Sequence, residues 1–165
     1  MSTIHFKGAA MKTVGTIPAV GSQAPDFTLV GQQLNEIKLQ DFKGKNIVLN
    51  IFPSLDTDVC AASVRHFNQE ASELKDTVVL CVSMDLPFAA TRFCSVNGIN
   101  NVETASGFRS DFGDTYGVEI ADGPMKGLYA RALVVIDKNR KVIGQQLVDE
   151  ITNEPDYSLA LKLLS

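Results

Sequence analysis

The chain has no C-x-x-C pair, and its three cysteines, Cys60, Cys81 and Cys94, are an odd number. That excludes a C-x-x-C dithiol motif and fits poorly with a structural disulfide framework. Histidine is scarce: His5 and His66 are far apart, and neither has ligand-type spacing to a thiol. A zinc site is not expected. No apolar run reaches the roughly 20 residues needed to cross a membrane. Met1–Lys7 lacks the apolar stretch of a signal peptide, so a cytoplasmic setting is the expectation. Basic residues are in deficit, 15 against 19 acidic ones, for a net charge of −4. This argues against a nucleic-acid surface or a polybasic membrane patch. Repeats, low-complexity segments and linkers are also missing, so residues 1–165 read as one domain.

What is present is α/β patterning. Thr3–Lys7 alternates, and Gly8-Ala9-Ala10 can turn it into Met11–Val14 as an N-terminal hairpin. Phe27–Val30 and Glu36–Leu39 read as short strands. Asn46–Phe52 is nearly continuous apolar and β-prone, the pattern of a strand buried on both faces. Val59–Leu74 follows as a helix, with Val64, Phe67, Ala71 and Leu74 on one stripe. Thr77–Met84 is a second buried strand, and Pro87 to Val96 a second helix closed by Asn97-Gly98. Asp111–Tyr116 reads as a short helix. Ala130–Asp137 and Lys141–Val148 are strands joined by Lys138-Asn139-Arg140, and a last helix starts from Pro155. Strand–helix–strand implies a parallel pair with a right-handed crossover. The late strands imply antiparallel pairing. A mixed central β-sheet flanked by helices satisfies both. This is the element order of the thioredoxin-like fold with an N-terminal β-hairpin extension.

Cys60 follows the polar turn Ser54-Leu55-Asp56-Thr57-Asp58, where a buried strand hands over to a helix. Thr57 or Asp58 can cap that helix, which puts Cys60 at its third or second position. A first-turn thiol is helped toward its thiolate by the helix end, which contributes about 1–2 kcal/mol at best. Strong activation needs a cation as well. Arg131 is one candidate: it opens the run Ala130-Arg131-Ala132-Leu133-Val134-Val135-Ile136, and alternation puts it on the face of Leu133 and Val135. Arg65 and Arg92, on the two helices, are the rivals. Each residue also has a plainer role open to it. Cys60 can be a buried packing residue, Thr57 only a cap, Pro53 only the end of a strand ladder, and Arg131 an exposed strand-end charge. Cys94 can be a packing cysteine. Bonded to Cys60 it would close a loop of about 35 residues. Cys81, mid-strand, reads as an inert core residue.

Pro53, Thr57 and Cys60 stand at the spacing proline, three residues, threonine, two residues, cysteine. That spacing resembles the active-site signature of the peroxiredoxins. Asn50–Ser54, Val59–Arg65, Asp85–Ala89, Arg92-Phe93-Cys94, Ala121–Pro124, Ala130–Ala132 and Leu147–Thr152 all resemble the bacterial thiol peroxidases, an atypical two-cysteine branch. The resemblance spans essentially the whole chain, with no departure at a motif position. It implies a peroxidatic Cys60, a resolving Cys94, and Thr57, Arg131 and Pro53 around the reacting sulfur. It further implies hydrogen peroxide and alkyl hydroperoxides as substrates, a disulfide within one chain, thioredoxin as reductant, a homodimer, and no metal or prosthetic group. Two cysteines on different helices are expected to start too far apart to bond, so each cycle should include local unwinding.

Overall fold

The computed structural model describes residues 1–164. Strand β1 (Thr3–Phe6) pairs antiparallel with β2 (Ala9–Lys12), Ile4 opposite Met11. The turn is Lys7-Gly8, one residue earlier than the sequence pattern suggests. Both residues have positive φ, 51° and 83°, the two-residue turn whose twist matches a hairpin. Ile4 and Met11 are buried in a small satellite cluster with Ile120, Ala130 and Ile151.

The main sheet has seven strands in the order β4-β3-β7-β6-β5-β8-β9. These are β3 (Thr28–Val30), β4 (Glu36–Lys38), β5 (Asn46–Ile51), β6 (Thr77–Ser83), β7 (Glu103–Ser106), β8 (Ala132–Ile136) and β9 (Val142–Leu147). β5, β6 and β7 run parallel, and β8 lies antiparallel to β5. The sheet is therefore mixed, as expected. β7 is a strand that the sequence pattern did not single out. Its Glu-Thr-Ala-Ser run has little β-branched or apolar character. It forms because β6 and β3 offer it partners on both sides.

β5 is buried on both faces. Ile47, Leu49 and Ile51 join one core cluster, while Val48 joins the other with Phe52 just beyond the strand. The second cluster is roofed by α1 (Asp58–Glu70), α2 (Pro87–Asn97) and α4 (Ser158–Leu164); the first is covered by α3 (Phe112–Thr115) and loop segments. α1 buries Cys60, Ser63, Val64 and Phe67, the i, i+3, i+4, i+7 face of a helix. Burying Phe67 alone contributes about 1.5–3 kcal/mol. α1 stops at Glu70, short of the expected Leu74; Ala71–Glu73 tightens into a 3₁₀ turn. α2 ends where expected, at Gly98, whose left-handed φ of 64° terminates it.

Candidate active site

Phe52 N–H still bonds across to Val82 O at 3.1 Å. Pro53 has no N–H to continue the ladder and is itself buried. The chain then turns through a loop pinned by Asp85. Its carboxylate accepts from Ser54 Oγ at 2.8 Å, Leu55 N–H at 2.7 Å and Ser83 Oγ at 2.7 Å. The Ser54 carbonyl in turn accepts from the Thr57 N–H at 3.2 Å and the Thr57 hydroxyl at 3.1 Å.

Thr57 is the residue before the first turn of α1, with extended backbone, and Cys60 is the third helical residue. The side chain of Thr57 does not cap the helix, contrary to the expectation from its spacing. Its hydroxyl proton is committed to Ser54 O, which leaves the oxygen lone pairs as acceptors. The first N–H of α1 bonded to a preceding carbonyl is Ala61, to Thr57 O at 2.9 Å. Helix geometry leaves the N–H groups of Asp58, Val59 and Cys60 free to face an anion.

Cys60 has no solvent exposure and sits in the cluster with Val48, Phe52, Val64 and Leu133. Arg131 reaches it from the far side of the chain. Antiparallel pairing sets Ala132 opposite Ile51, so the start of β8 lies at the end of β5, where the loop to α1 begins. Arg131 is 2% exposed. Its Nε donates to Ile151 O at 2.8 Å and its Nη2 to Cys60 Sγ at 3.3 Å. Nη1 is buried with no partner. A guanidinium stripped of water is expensive unless an anion or acceptors face it. Here it faces one carbonyl and one sulfur. The rivals do not serve: Arg65 is exposed on α1, and Arg92 is exposed beside Asp56 at 3.9 Å.

A cleft of about 330 Å³ opens beside Arg131, with Pro53, Thr57, Val59, Phe6, Lys7 and Ile151 among its lining, and Cys60 lies behind Arg131 rather than in the cleft wall. Arg131 thus belongs both to the cleft wall and to the shell of Cys60. Phe6, Pro53, Val59, Met125 and Ile151 supply the apolar part of the lining, and Lys7, Thr57, Asp58, Arg131 and Thr152 the polar part. Among the described residues, no three His, Cys, Asp or Glu side chains are grouped to hold a metal ion.

Cys94 lies elsewhere. It is buried on α2, and Gln32 Nε2 donates to its Sγ at 3.5 Å while also donating to Thr104 Oγ1 at 2.8 Å. Burial pushes the Cys94 thiol up, and the hydrogen bonds with Thr104 and Gln32 partly offset that. Thr104 is on β7, while Arg131 leads into β8; β6 and β5 lie between them. Three strand spacings are about 14 Å. Cys60 and Cys94 are free thiols with separate surroundings. Cys81 sits between them on β6, its thiol pushed up to about 12 by burial against a weak contact from Asn50.

The structure therefore brings Pro53, Thr57, Cys60 and Arg131 to one place and puts Cys94 in another. Sequence reasoning missed the groups that hold these side chains: Ile151 through its carbonyl, Gln32 through its amide, and Asp85 under the loop. Asp85 was visible as part of a motif, with no role attached.

The Redoxin family model matches residues 19–161. The chain belongs to the Redoxin family. The thiol peroxidase of Corynebacterium glutamicum is 52% identical over 165 residues, covering 100% of both chains. The thiol peroxidase of Mycobacterium tuberculosis strain H37Rv is 55% identical over 164 residues, covering 99% of each. Among solved structures, a peroxiredoxin-like protein from Aquifex aeolicus superposes with a TM-score of 0.91 at 42% identity, covering 96% of this chain and 92% of that one. This Redoxin member is thus an oxidoreductase of the thiol-dependent peroxidase class, on a peroxiredoxin fold.

Proposed function

We propose that the enzyme reduces hydrogen peroxide and alkyl hydroperoxides with Cys60 as the attacking thiol and Cys94 as the thiol that resolves it. The observation that carries this reading is the Arg131 guanidinium. It touches Cys60 Sγ at 3.3 Å, lines the cleft, and keeps a buried donor, Nη1, without a partner. A peroxide in the cleft offers that donor an oxygen and offers Thr57 a hydroxyl proton. The Cys60 thiolate attacks the terminal peroxide oxygen, and the O–O bond breaks. Its electron pair leaves with the alkoxide, which takes up a proton as the alcohol. Arg131 and the free first-turn N–H groups stabilise the charge moving onto the departing oxygen, the term that usually contributes most to such a step. Pro53 walls the site and has no N–H to hydrate.

The product is a sulfenic acid at Cys60. Condensation with the Cys94 thiol forms a disulfide within the chain and releases water. About 14 Å of sheet separates the strands that their partners come from. The first turn of α1, the part of α2 around Cys94, or both therefore open in each cycle. A dithiol protein of the thioredoxin type would return the pair to thiols. The rest of the reading is a homodimer of a single domain, without metal or prosthetic group, in the cytoplasm, where thiols stay reduced.

Stopped-flow oxidation with hydrogen peroxide and an alkyl hydroperoxide in parallel tests this. Cys60→Ser should abolish turnover, and retained turnover would sink the assignment. Cys94→Ser should give one turnover and accumulate sulfenic acid. Normal cycling of Cys94→Ser with thioredoxin would remove Cys94 from its role.

A further inference from the structure

Arg131 is aimed at Cys60 by a carbonyl, that of Ile151. What holds that carbonyl is the N-terminal hairpin. Ile151 N–H donates to His5 O at 2.9 Å, and His5 N–H donates to Asp149 O at 2.6 Å. β1 and residues 149–151 thus form a short parallel bridge at His5 and Glu150. The bridge is clamped at its end by the Glu150 carboxylate. Oε1 accepts from the Gly8 N–H at 2.9 Å, and Oε2 from the Lys7 N–H at 3.1 Å. Thr152 adds its N–H at 3.2 Å and its hydroxyl at 3.0 Å. The two turn residues have positive φ, and this is what turns their N–H groups onto one carboxylate.

The carboxylate also ties the hairpin to the cleft. Phe6 and Lys7 from the hairpin, and Ile151 and Thr152 from the clamped segment, line the same cleft as Arg131. On the other side, Val148 N–H bonds to Arg131 O at 2.9 Å, so the segment is anchored to the residue it aims. A mere tether would not need four donors on one carboxylate, on the residue next to the carbonyl that fixes the guanidinium.

We infer that Glu150 is a positioning residue: by clamping the N-terminal hairpin to residues 149–152, it fixes the Ile151 carbonyl and so holds Arg131 against the Cys60 sulfur. This rests on the reading of Cys60 as the reacting thiol, but its effect on the sulfur is measurable without peroxide. Unclamped, the Ile151 carbonyl drifts and Arg131 loses its second anchor. Misplacement on the order of 1 Å is enough to cost a reaction tenfold or more.

The experiment is a double-mutant cycle between Glu150→Ala and Arg131→Ala in the full chain. The readouts are the pH profile of Cys60 alkylation by iodoacetamide, mapped by peptide mass, and the rate of Cys60 oxidation by hydrogen peroxide. Glu150→Ala should move the alkylation profile to higher pH and slow oxidation about tenfold. In the Arg131→Ala background it should move neither, because the pair acts as one unit. Equal effects in both backgrounds would overturn the proposal and leave the hairpin a packing element. Should Glu150→Ala fail to fold, Thr152→Val carries the test, since it removes one of the four bonds. It should shift the profile the same way by less, and an unchanged profile would overturn the proposal. A wild-type Cys60 that oxidises no faster than an ordinary thiol would instead defeat the peroxidase reading, and the alkylation cycle would still decide the role of Glu150.

Discussion

Ser63 donates its hydroxyl to the carbonyl of Cys60 at 2.7 Å, and its oxygen accepts in turn from Asn50 Nδ2 at 3.2 Å. The first turn of α1 is thereby fastened to the centre of the sheet, by way of a buried asparagine on β5. Such a bond contributes about 1 kcal/mol. Opening that turn requires breaking it.

Ser63→Ala should therefore loosen the turn more than the fold. The expected result is a stability loss of about 1–2 kcal/mol, because Asn50 loses its hydroxyl partner and keeps only the weak contact with Cys81, together with faster Cys60–Cys94 disulfide formation. Quenched-flow trapping of the sulfenic acid measures the second effect. Slower or unchanged disulfide formation would show that the opening lies at α2 instead.

Arg131→Ala removes the cation and the anchor together. Oxidation of Cys60 should fall by roughly 10²–10³, the size of losing a charge-stabilising donor, and its alkylation profile should move to higher pH. Arg131→Lys should recover only part, since an ammonium cannot span Ile151 O and Cys60 Sγ as a planar fork does. Full activity in Arg131→Lys would mean that charge alone suffices.

Thr57 separates two roles of a hydroxyl. Its proton goes to Ser54 O, and its lone pairs remain for a substrate. Thr57→Ser should retain most activity, while Thr57→Val should lower kcat/KM for peroxide without changing the alkylation profile of Cys60. A shifted profile in Thr57→Val would place Thr57 in thiolate stabilisation rather than in substrate binding.

Gln32 holds Cys94 Sγ, and its hydrogen bond opposes the upward push of burial. Gln32→Ala should raise the Cys94 thiol further and move the pH dependence of disulfide formation to higher pH, leaving the peroxide step unchanged. Rapid-mixing tryptic mapping across pH would show it, and an unmoved profile would exclude the contact from the resolving step.

Cys81 gives a pH prediction for stability. Its folded value, about 12, lies above the ordinary 9.0. Below pH 9 the thiol is protonated in both states, and the stability from its burial is fully present. Above pH 9 the unfolded thiol ionises first, so stability falls as pH rises toward 12. The Tm should drop across that window, and Cys81→Val should flatten part of the drop. Cys94, Tyr116, Tyr129 and Tyr157, also pushed up by burial, contribute to the remainder. At pH 8 iodoacetamide should leave Cys81 unmodified until the chain unfolds.

The legible parts of the fold were those whose signal is local. Asn46–Phe52 and the stripe through Val64 and Phe67 announce a buried strand and its covering helix. β7 was not legible, because a short polar strand depends on the neighbours it pairs with. The hairpin turn was misplaced by one residue, because Lys7 adopts a positive φ that lysine disfavours and Glu150 compensates from 143 positions away. At the site, alternation put Arg131 on the right face, but faces carry no distances. Three arginines stayed open until the pairing of β5 with β8 selected one. Ile151 acts through its backbone carbonyl, and the Glu150 carboxylate takes backbone N–H groups from a distant turn, so neither leaves a local pattern to read.

That pairing has a further consequence for how the chain acquires its reactivity. Cys60 and Arg131 are 71 positions apart, and they meet only because β8 runs back against β5. Local structure around Cys60 can form early, whereas this contact waits on closing a long loop. On a ribosome the thiol emerges well before its guanidinium. With Cys60 as the proposed attacking thiol, a nascent chain would carry it through synthesis without its guanidinium and gain that partner as the sheet is completed. On the proposed reading, the onset of peroxide sensitivity at Cys60 would report that this long-range contact has formed.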